Sequence, residues 1–201
     1  MLEILENWDA CATLAINALH SPISDPIWQF ITGRWVWAPA YLVLAGILIW
    51  KLGWKRGGIM ILATILTILC VDQTANLFKD FFARLRPCND PDIIARGLHI
   101  LEEPHPGYAY GFFSGHASNA MAFALCMIRA FRIYKIEHPE KTKAVQIGSA
   151  LLIVWALLVG FSRVFVGKHF LGDVLVGFAI GALIAYLICL LGEFICKKIK
   201  A

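Results

Sequence analysis

Three short stretches concentrate the side chains with which this chain could do chemistry. VDQTANLFKDFFARLRP (71–87) carries Lys79 and Arg86, FFSGHASNA (112–120) carries Ser114, Gly115 and His116, and FSRVFVGKHFLGD (161–173) carries Arg163, His169 and Asp173. Lys79, Arg86 and Arg163 are cations with few anions nearby in sequence, which suits a bound oxyanion, and arginine offers a fork matched to phosphate. Ser114 is a good helix N-cap, and Gly115 lets a ligand approach the backbone closely. The free N–H groups and the dipole of such a helix start form an anion site. His169 and Asp173 stand at i, i+4, so the carboxylate can hold the imidazole in one tautomer while the ring stays free to attack or to take a proton. His116 adds a second imidazole, suited to protonating a leaving group. Phosphate binders, a positioned histidine and an acid predict phosphoryl transfer to water.

The elements that must position these residues are membrane helices. The chain has 201 residues, of which 59% are hydrophobic and 16% charged, against about 45–50% and about 25% in a soluble domain. Spans are expected near 35–54, 57–78, 114–136, 144–162 and 174–194, each long enough to cross a bilayer. The apolar centre of the third, 117–128, is short. The N-terminal segment lacks the basic start of a cleaved signal peptide. Its residues Glu3, Glu6, Asn7, Thr13 and Asn17 recur at helical spacing, which predicts an amphipathic helix lying in the membrane interface over the 1–33 region. A sixth span through 10–33 conflicts with Pro22, Asp25 and Pro26. The expected fold is therefore all-α: a single polytopic membrane bundle over 1–201, with five to six transmembrane helices and an interfacial N-terminal helix. Six cysteines show no close pair in sequence and predict no disulfide framework.

Charge sorts the connections into two sets. Lys51, Lys55, Arg56, Arg129, Arg132, Lys135, Lys141, Lys143, Lys197, Lys198 and Lys200 fall on one side, eleven of the eighteen basic residues. Arg34, Lys79, Arg84, Arg86, Arg96, Arg163 and Lys168 fall on the other. The positive-inside rule puts the first set in the cytoplasm and the chemistry outside. The net charge of +4 thus reflects topology and does not call for nucleic acid.

An ionisable side chain in a bilayer costs about 2.5–3.5 kcal/mol, so Lys79, Arg86, His116, Arg163, His169 and Asp173 would cost on the order of 15 kcal/mol facing lipid. One shared pocket at the outer rim avoids that cost. In order, K79-x6-R86-P87, S114-G115-H116 and S162-R163-x5-H169-x3-D173 resemble the three-part signature of the type 2 phosphatidic-acid phosphatase superfamily, across 79–173. The resemblance implies that His169 is the nucleophile forming a phosphohistidine, that Asp173 orients it, and that His116 protonates the leaving group and then activates water. It implies that Lys79, Arg86, Ser114, Gly115 and Arg163 bind the phosphate, with no metal and no cofactor. Where the family's second motif usually begins with proline, this chain has Phe113.

Blander readings stand beside these. Lys79 and Arg86 could be interface anchors, Ser114 only a cap, and Asp72, Gln73 and Asn76 only contacts between spans. His169 with Asp173 could be a metal pair, but the surrounding cations would repel a metal. Gly177 and Gly181 form a G-x-x-x-G packing face. His20, His99, His105 and His138 show no partner pattern and are expected in solvent. Lys168 either reaches the interface or touches a second phosphate. The 84–113 loop, with GYAYGFF, is expected to be an extracytoplasmic lid whose Tyr108, Tyr110, Phe112 and Phe113 line the path of a lipid.

The expected activity is that of a phosphatase of the bacterial inner membrane, with its site on the periplasmic or extracytoplasmic side. Its partners are the bilayer and a membrane lipid carrying a phosphate or diphosphate; no oligomeric state follows. The resemblance favours undecaprenyl diphosphate, with lipid A next and phosphatidylglycerol phosphate or phosphatidic acid after it. A non-hydrolytic anion or lipid transporter is the alternative of another class. It would want an inverted repeat and mid-membrane broken helices, and the sequence has neither.

Overall fold

The computed structural model describes residues 2–33, 35–105 and 107–200. Arg34 of the outer basic set and Pro106 of the long loop lie outside the described residues, as do the side chains of Leu2 and Lys200. The chain runs α1 (Leu2–Asn17), α2 (Ser24–Thr32), α3 (Ala38–Phe82), α4 (Pro91–Ala95), α5 (Gly115–Glu137), α6 (Thr142–Phe165) and α7 (Leu171–Lys200). Short 3₁₀ turns precede α4 and α6. No strand occurs among the described residues; Leu85 and Tyr110 meet in an isolated antiparallel bridge.

Helix α3 is two helices joined at Gly53, whose φ of 76° and ψ of 164° no helix contains. Glycine occupies that left-handed φ without a Cβ clash. The limbs fold back on each other: a β-carbon on Gly57 would lie 2.9 Å from the Leu48 carbonyl oxygen. Nine residues of straight helix would separate those positions by about 13–14 Å. The expected spans 35–54 and 57–78 are these two limbs. Among the described residues, three helical segments are long and apolar enough to cross a membrane: α3, Pro139–Phe165 and Leu171–Ile199.

Helix α5, the expected 114–136 span, is not among those three, and the reason is its position. Ala117, Ala120, Ala122, Ala124, Cys126 and Ala130 are buried, and α3, α6 and α7 pack around the helix. A central helix meets neighbours in place of lipid, so small residues serve it better than large apolar ones. The large side chains point outward elsewhere: Leu42, Leu62, Leu69, Leu151, Leu183 and Leu187 are all exposed.

The glycine pair expected to pack does so, on α5. A β-carbon at Gly181 would stand 2.2 Å from the Ser118 carbonyl oxygen, and one at Gly177 would stand 2.7 Å from that of Ser114. Deeper between the same helices, the thiols of Cys126 and Cys189, distant in sequence, approach to 2.9 Å. The two charge sets also separate: Arg56 pairs with Glu137, and Arg129 with Glu193 at 3.0 Å, at the end of the bundle opposite the three stretches of chemistry.

The N-terminal region forms two helices, and the second half of α1 turns its polar residues inward while Glu3, Glu6 and Asn7 stay exposed. Thr13 and Asn17 are buried, while Ile4, Leu5 and Trp8 are exposed. Thr13 accepts the Leu171 N–H (2.9 Å), and the Asn17 amide donates to the carbonyls of Val164 and Phe165 (both 3.1 Å). Free backbone groups at the α6–α7 connection demand partners, and α1 supplies them.

Gly181→Ala should lower stability by about 1–3 kcal/mol through overpacking against the α5 backbone. Gly58→Ala, where a β-carbon meets nothing within 4 Å, should leave thermal unfolding in detergent undiminished, or raise its midpoint slightly through helix propensity.

Candidate active site

The end of α3, the start of α5 and the α6–α7 connection converge at one rim. A β-carbon on Gly115 would lie 3.8 Å from the Lys79 ammonium. The Ser114 N–H donates to the Asp173 carbonyl oxygen at 3.0 Å. Arg86 Nη1 lies 3.4 Å from His169 Nε2. The Arg163 carbonyl accepts the N–H groups of both Lys168 (3.0 Å) and His169 (3.2 Å). All three predicted stretches therefore meet. Ser114 is fully buried and caps α5 through its hydroxyl, which accepts from Ala117 N at 3.5 Å. His116 sits half-buried on the first turn of that helix.

Asp173 is completely buried, and every facing group answers its charge. Oδ1 takes a 2.7 Å bond from Arg84; Oδ2 takes the Phe170 N–H at 3.1 Å and faces His169 Nδ1 at 3.4 Å. Arg84 reaches with its other nitrogen to Asp9 on α1, also at 2.7 Å, and Asp9 in turn accepts the Gly172 N–H at 2.7 Å. The guanidinium also lies over the Phe170 ring, 4.0 Å from its centroid.

The 84–113 segment is more structured than an open lid. Its two ends are zipped by Arg86 N to Ala109 O (2.9 Å) and Gly111 N to Arg84 O (2.8 Å), and Arg86 Nε donates to Tyr110 O at 3.1 Å. Gly111 is pressed into the site: a β-carbon there would stand 3.0 Å from the Arg86 side chain and 3.4 Å from both His169 Nδ1 and Asp173 Oδ2. Tyr108 and Tyr110 are exposed as expected, but Phe113 is fully buried against Phe78, so it plugs the core and lines no path. Lys168 is 7% exposed and donates to the Glu103 carbonyl at 2.5 Å, so it does not snorkel and its ammonium is engaged by the 84–113 segment. Arg163, also buried, hydrogen-bonds Thr32 of α2 and pairs with Glu102 at 3.5 Å. Asp72 accepts from Asn119 at 2.6 Å, tying α3 to α5 behind the site.

Geometry fixes the histidine's proton. A guanidinium has donors only, so Nε2, which faces Arg86, presents its lone pair, and the proton sits on Nδ1 toward Asp173. Burial, and then the positive charges of Arg86, Arg163 and Lys79, hold the His169 pKa well below its ordinary value. The resting imidazole is thus neutral, with a lone pair directed at the cation cluster.

Several of these partners were not singled out in the sequence. Arg84 stands in the first stretch two residues before Arg86, but nothing local marks it as the one that grips Asp173. Asp9, Thr13 and Asn17 form a visible i, i+4, i+8 stripe, and only the fold reveals that the stripe faces protein.

The family model of the PAP2 superfamily matches residues 54–194. The chain belongs to the PAP2 superfamily. It is 31% identical to a lipid A 4'-phosphatase of Bacteroides thetaiotaomicron over all of this chain and 82% of that protein. It is 30% identical to the undecaprenyl-diphosphatase BcrC of Bacillus subtilis over 86% of this chain and 78% of that one. Among solved structures, a transmembrane PAP2-type phosphatidylglycerolphosphate phosphatase from Bacillus subtilis superposes with a TM-score of 0.74, at 22% identity over 96% of this chain and 88% of that one. Aquifex aeolicus LpxE superposes at 0.59, with 25% identity over 88% and 92%. This PAP2 protein is therefore a membrane lipid phosphatase, a hydrolase of phosphate esters, and the transporter reading falls away.

Two measurements probe the site of this PAP2 phosphatase. Arg84→Ala strips a charged partner from two carboxylates at once and should cost about 1.5–3 kcal/mol per lost bond, with kcat falling alongside; Arg84→Lys should recover only part, since an ammonium cannot fork between Asp9 and Asp173. In a pH profile of kcat/KM, the acid limb set by His169 should lie below the free-imidazole value of about 6.5. Because the cations lower that pKa, Arg86→Gln should move the limb to higher pH, and a limb that stays still would separate it from His169.

Proposed function

We propose that this phosphatase hydrolyses a lipid phosphate monoester at the extracytoplasmic face of a bacterial inner membrane, with the phosphate of lipid A as the preferred substrate. The orientation rests on the eleven basic residues gathered at the opposite end. The phosphate sits among Lys79, Arg86 and Arg163, against Gly115 and the free N–H groups of the α5 start capped by Ser114. His169 Nε2 attacks phosphorus in line with the ester oxygen; a P–N bond forms, the P–O bond breaks, and His116 gives its proton to the departing oxygen. Asp173, fixed by Arg84 and the Phe170 N–H, stabilises the positive charge that the ring gains. His116, now neutral, takes a proton from water as the water attacks phosphorus, which frees His169 and inorganic phosphate. The cations that hold the phosphate would repel a metal ion, so this cycle runs on protein groups alone.

The observation that carries the monoester preference is Lys168. It was the cation available for a second phosphate, and its ammonium is buried and bound to Glu103. The extent of likeness agrees, because the similarity to a lipid A 4'-phosphatase runs through the N-terminal helices that complete the site. Lipid A accordingly moves ahead of undecaprenyl diphosphate.

Phosphate release by the purified protein, compared over lipid A, undecaprenyl diphosphate, phosphatidylglycerol phosphate and phosphatidic acid, should give the highest kcat/KM on lipid A. A higher value on the diphosphate would reverse the ranking. His169→Ala should abolish release on every lipid; survival of turnover in that variant would remove His169 as nucleophile.

A further inference from the structure

Outside the active site, His20, Asp25 and His99 come together from segments far apart in sequence. His20 lies on the irregular turn after α1, Asp25 in the first turn of α2, and His99 on the segment between α4 and α5. One ligand-capable atom from each lies within 4.8 Å of the others. We propose that these three residues bind a divalent transition-metal ion of the Zn²⁺ type, which clamps the N-terminal helices onto the segment that supports the active site.

Four observations carry the proposal. First, His99 Nε2 and Asp25 Oδ2 are hydrogen-bonded at 3.0 Å; an ion would displace the shared proton, and the spacing is already close to the roughly 3.3 Å edge of a tetrahedron with bonds of about 2.0–2.1 Å. Second, Asp25 Oδ1, the carboxylate oxygen that does not face His99, is buried and has no hydrogen-bond partner among the described residues, so an ion gripped by both oxygens would satisfy it. A buried carboxylate oxygen left so is costly unless a cation or donor meets it. Third, His20 is exposed and stacks on His99, with ring centroids 3.6 Å apart and 11° between planes. Parallel rings aim their lone pairs side by side, so closure needs His20 to turn about its side-chain torsions, and its exposure leaves room for that swing. Fourth, the His99 backbone is already fixed: its N–H donates to Asn17 Oδ1 at 2.7 Å, and its carbonyl accepts from Asn17 Nδ2 at 3.0 Å.

Two imidazoles and one carboxylate form a three-ligand set that leaves a fourth position for water, and such borderline-soft nitrogen donors select zinc-like ions over Mg²⁺ or Ca²⁺. The role would be structural. His99 lies three and four residues before Glu102 and Glu103, which hold Arg163 and Lys168. An ion at this site would join that segment to the α1–α2 turn, while taking no part in the phosphoryl transfer.

The test uses the full chain in detergent, stripped with EDTA and titrated with Co²⁺ and then Zn²⁺. Co²⁺ should give a saturable visible band at one ion per chain, without the near-ultraviolet absorption of cobalt–thiolate bonding, and Zn²⁺ should displace it. His20→Ala, at an exposed position, and Asp25→Asn should each weaken binding about tenfold or more, as even loss of an outer-shell partner does. Zn²⁺ should raise the Tm of the wild type but not of His20→Ala, and the stripped protein should keep its phosphate release. No saturable band, a thiolate spectrum, or equal affinity in the wild type and His20→Ala would each overturn the site. If Asp25→Asn fails to fold, the His20→Ala comparison decides alone.

Discussion

A carboxylate with no solvent exposure governs this molecule. Asp173 sits at the start of α7 with none of its surface open to water, and a buried unpaired charge would cost several kcal/mol. Its neutralisation by Arg84 obliges the α3–α4 connection to pass beside α7. The second hand of Arg84 then needs its own anion, and Asp9 brings α1 across the same rim. Asp9 spends its other oxygen on the Gly172 N–H, one of the free donors at the start of α7. One buried charge thereby fixes the relative placement of α1, α3 and α7, and His169 inherits its orientation from that arrangement.

Close packing makes the rim possible. Three segments can meet at one small rim only if their backbones approach more closely than ordinary side chains allow. Gly177 and Gly181 let α7 touch the α5 backbone, and Gly111 lets the returning loop lie against His169 and Asp173. The small residues of α5 act in the same sense, because a central helix of alanines can be enclosed by α3, α6 and α7 at short distance. The low apolar volume that leaves α5 off the set of strongly hydrophobic helices is what holds its capped N-terminus within reach of Lys79.

Much of the site could be read from residue types. Lys79, Arg86, Arg163, His169 and Asp173 are ionisable groups at the ends of greasy runs, and the bilayer's penalty on lone charges forces them together whatever the details of packing. The helix start at Ser114 was equally visible, because a cap needs only local sequence. What stayed hidden depends on which face of an element meets protein. Asp9, Thr13 and Asn17 form a polar stripe that suits water and protein alike, so their inward direction followed only once the bare backbone groups of the α6–α7 connection were located. The preference of aromatics for headgroup depth points Phe113 to a lipid path, yet it is core because Phe78 stands opposite. His20 is exposed, as its sequence suggests, but nothing local announces its stack on the half-buried His99, so far away in sequence.

The cations around His169 act twice, and the two actions have opposite sign. With no substrate present they repel a proton, so burial and the charges of Arg86, Arg163 and Lys79 keep the imidazole neutral. A lone pair is therefore ready at Nε2 without any prior proton transfer. In the cycle proposed above, a phosphate carrying up to two negative charges and held by those same groups largely cancels their field at the ring. The positive charge that builds on the histidine as the P–N bond forms then meets Asp173 on one side and the phosphate on the other. In the proposed cycle, substrate binding itself converts the environment from one that protects a neutral nucleophile to one that accepts a cationic intermediate. That reversal needs no moving part, which fits a site whose residues are locked by Arg84, Asp9 and the zipped ends of the 84–113 segment.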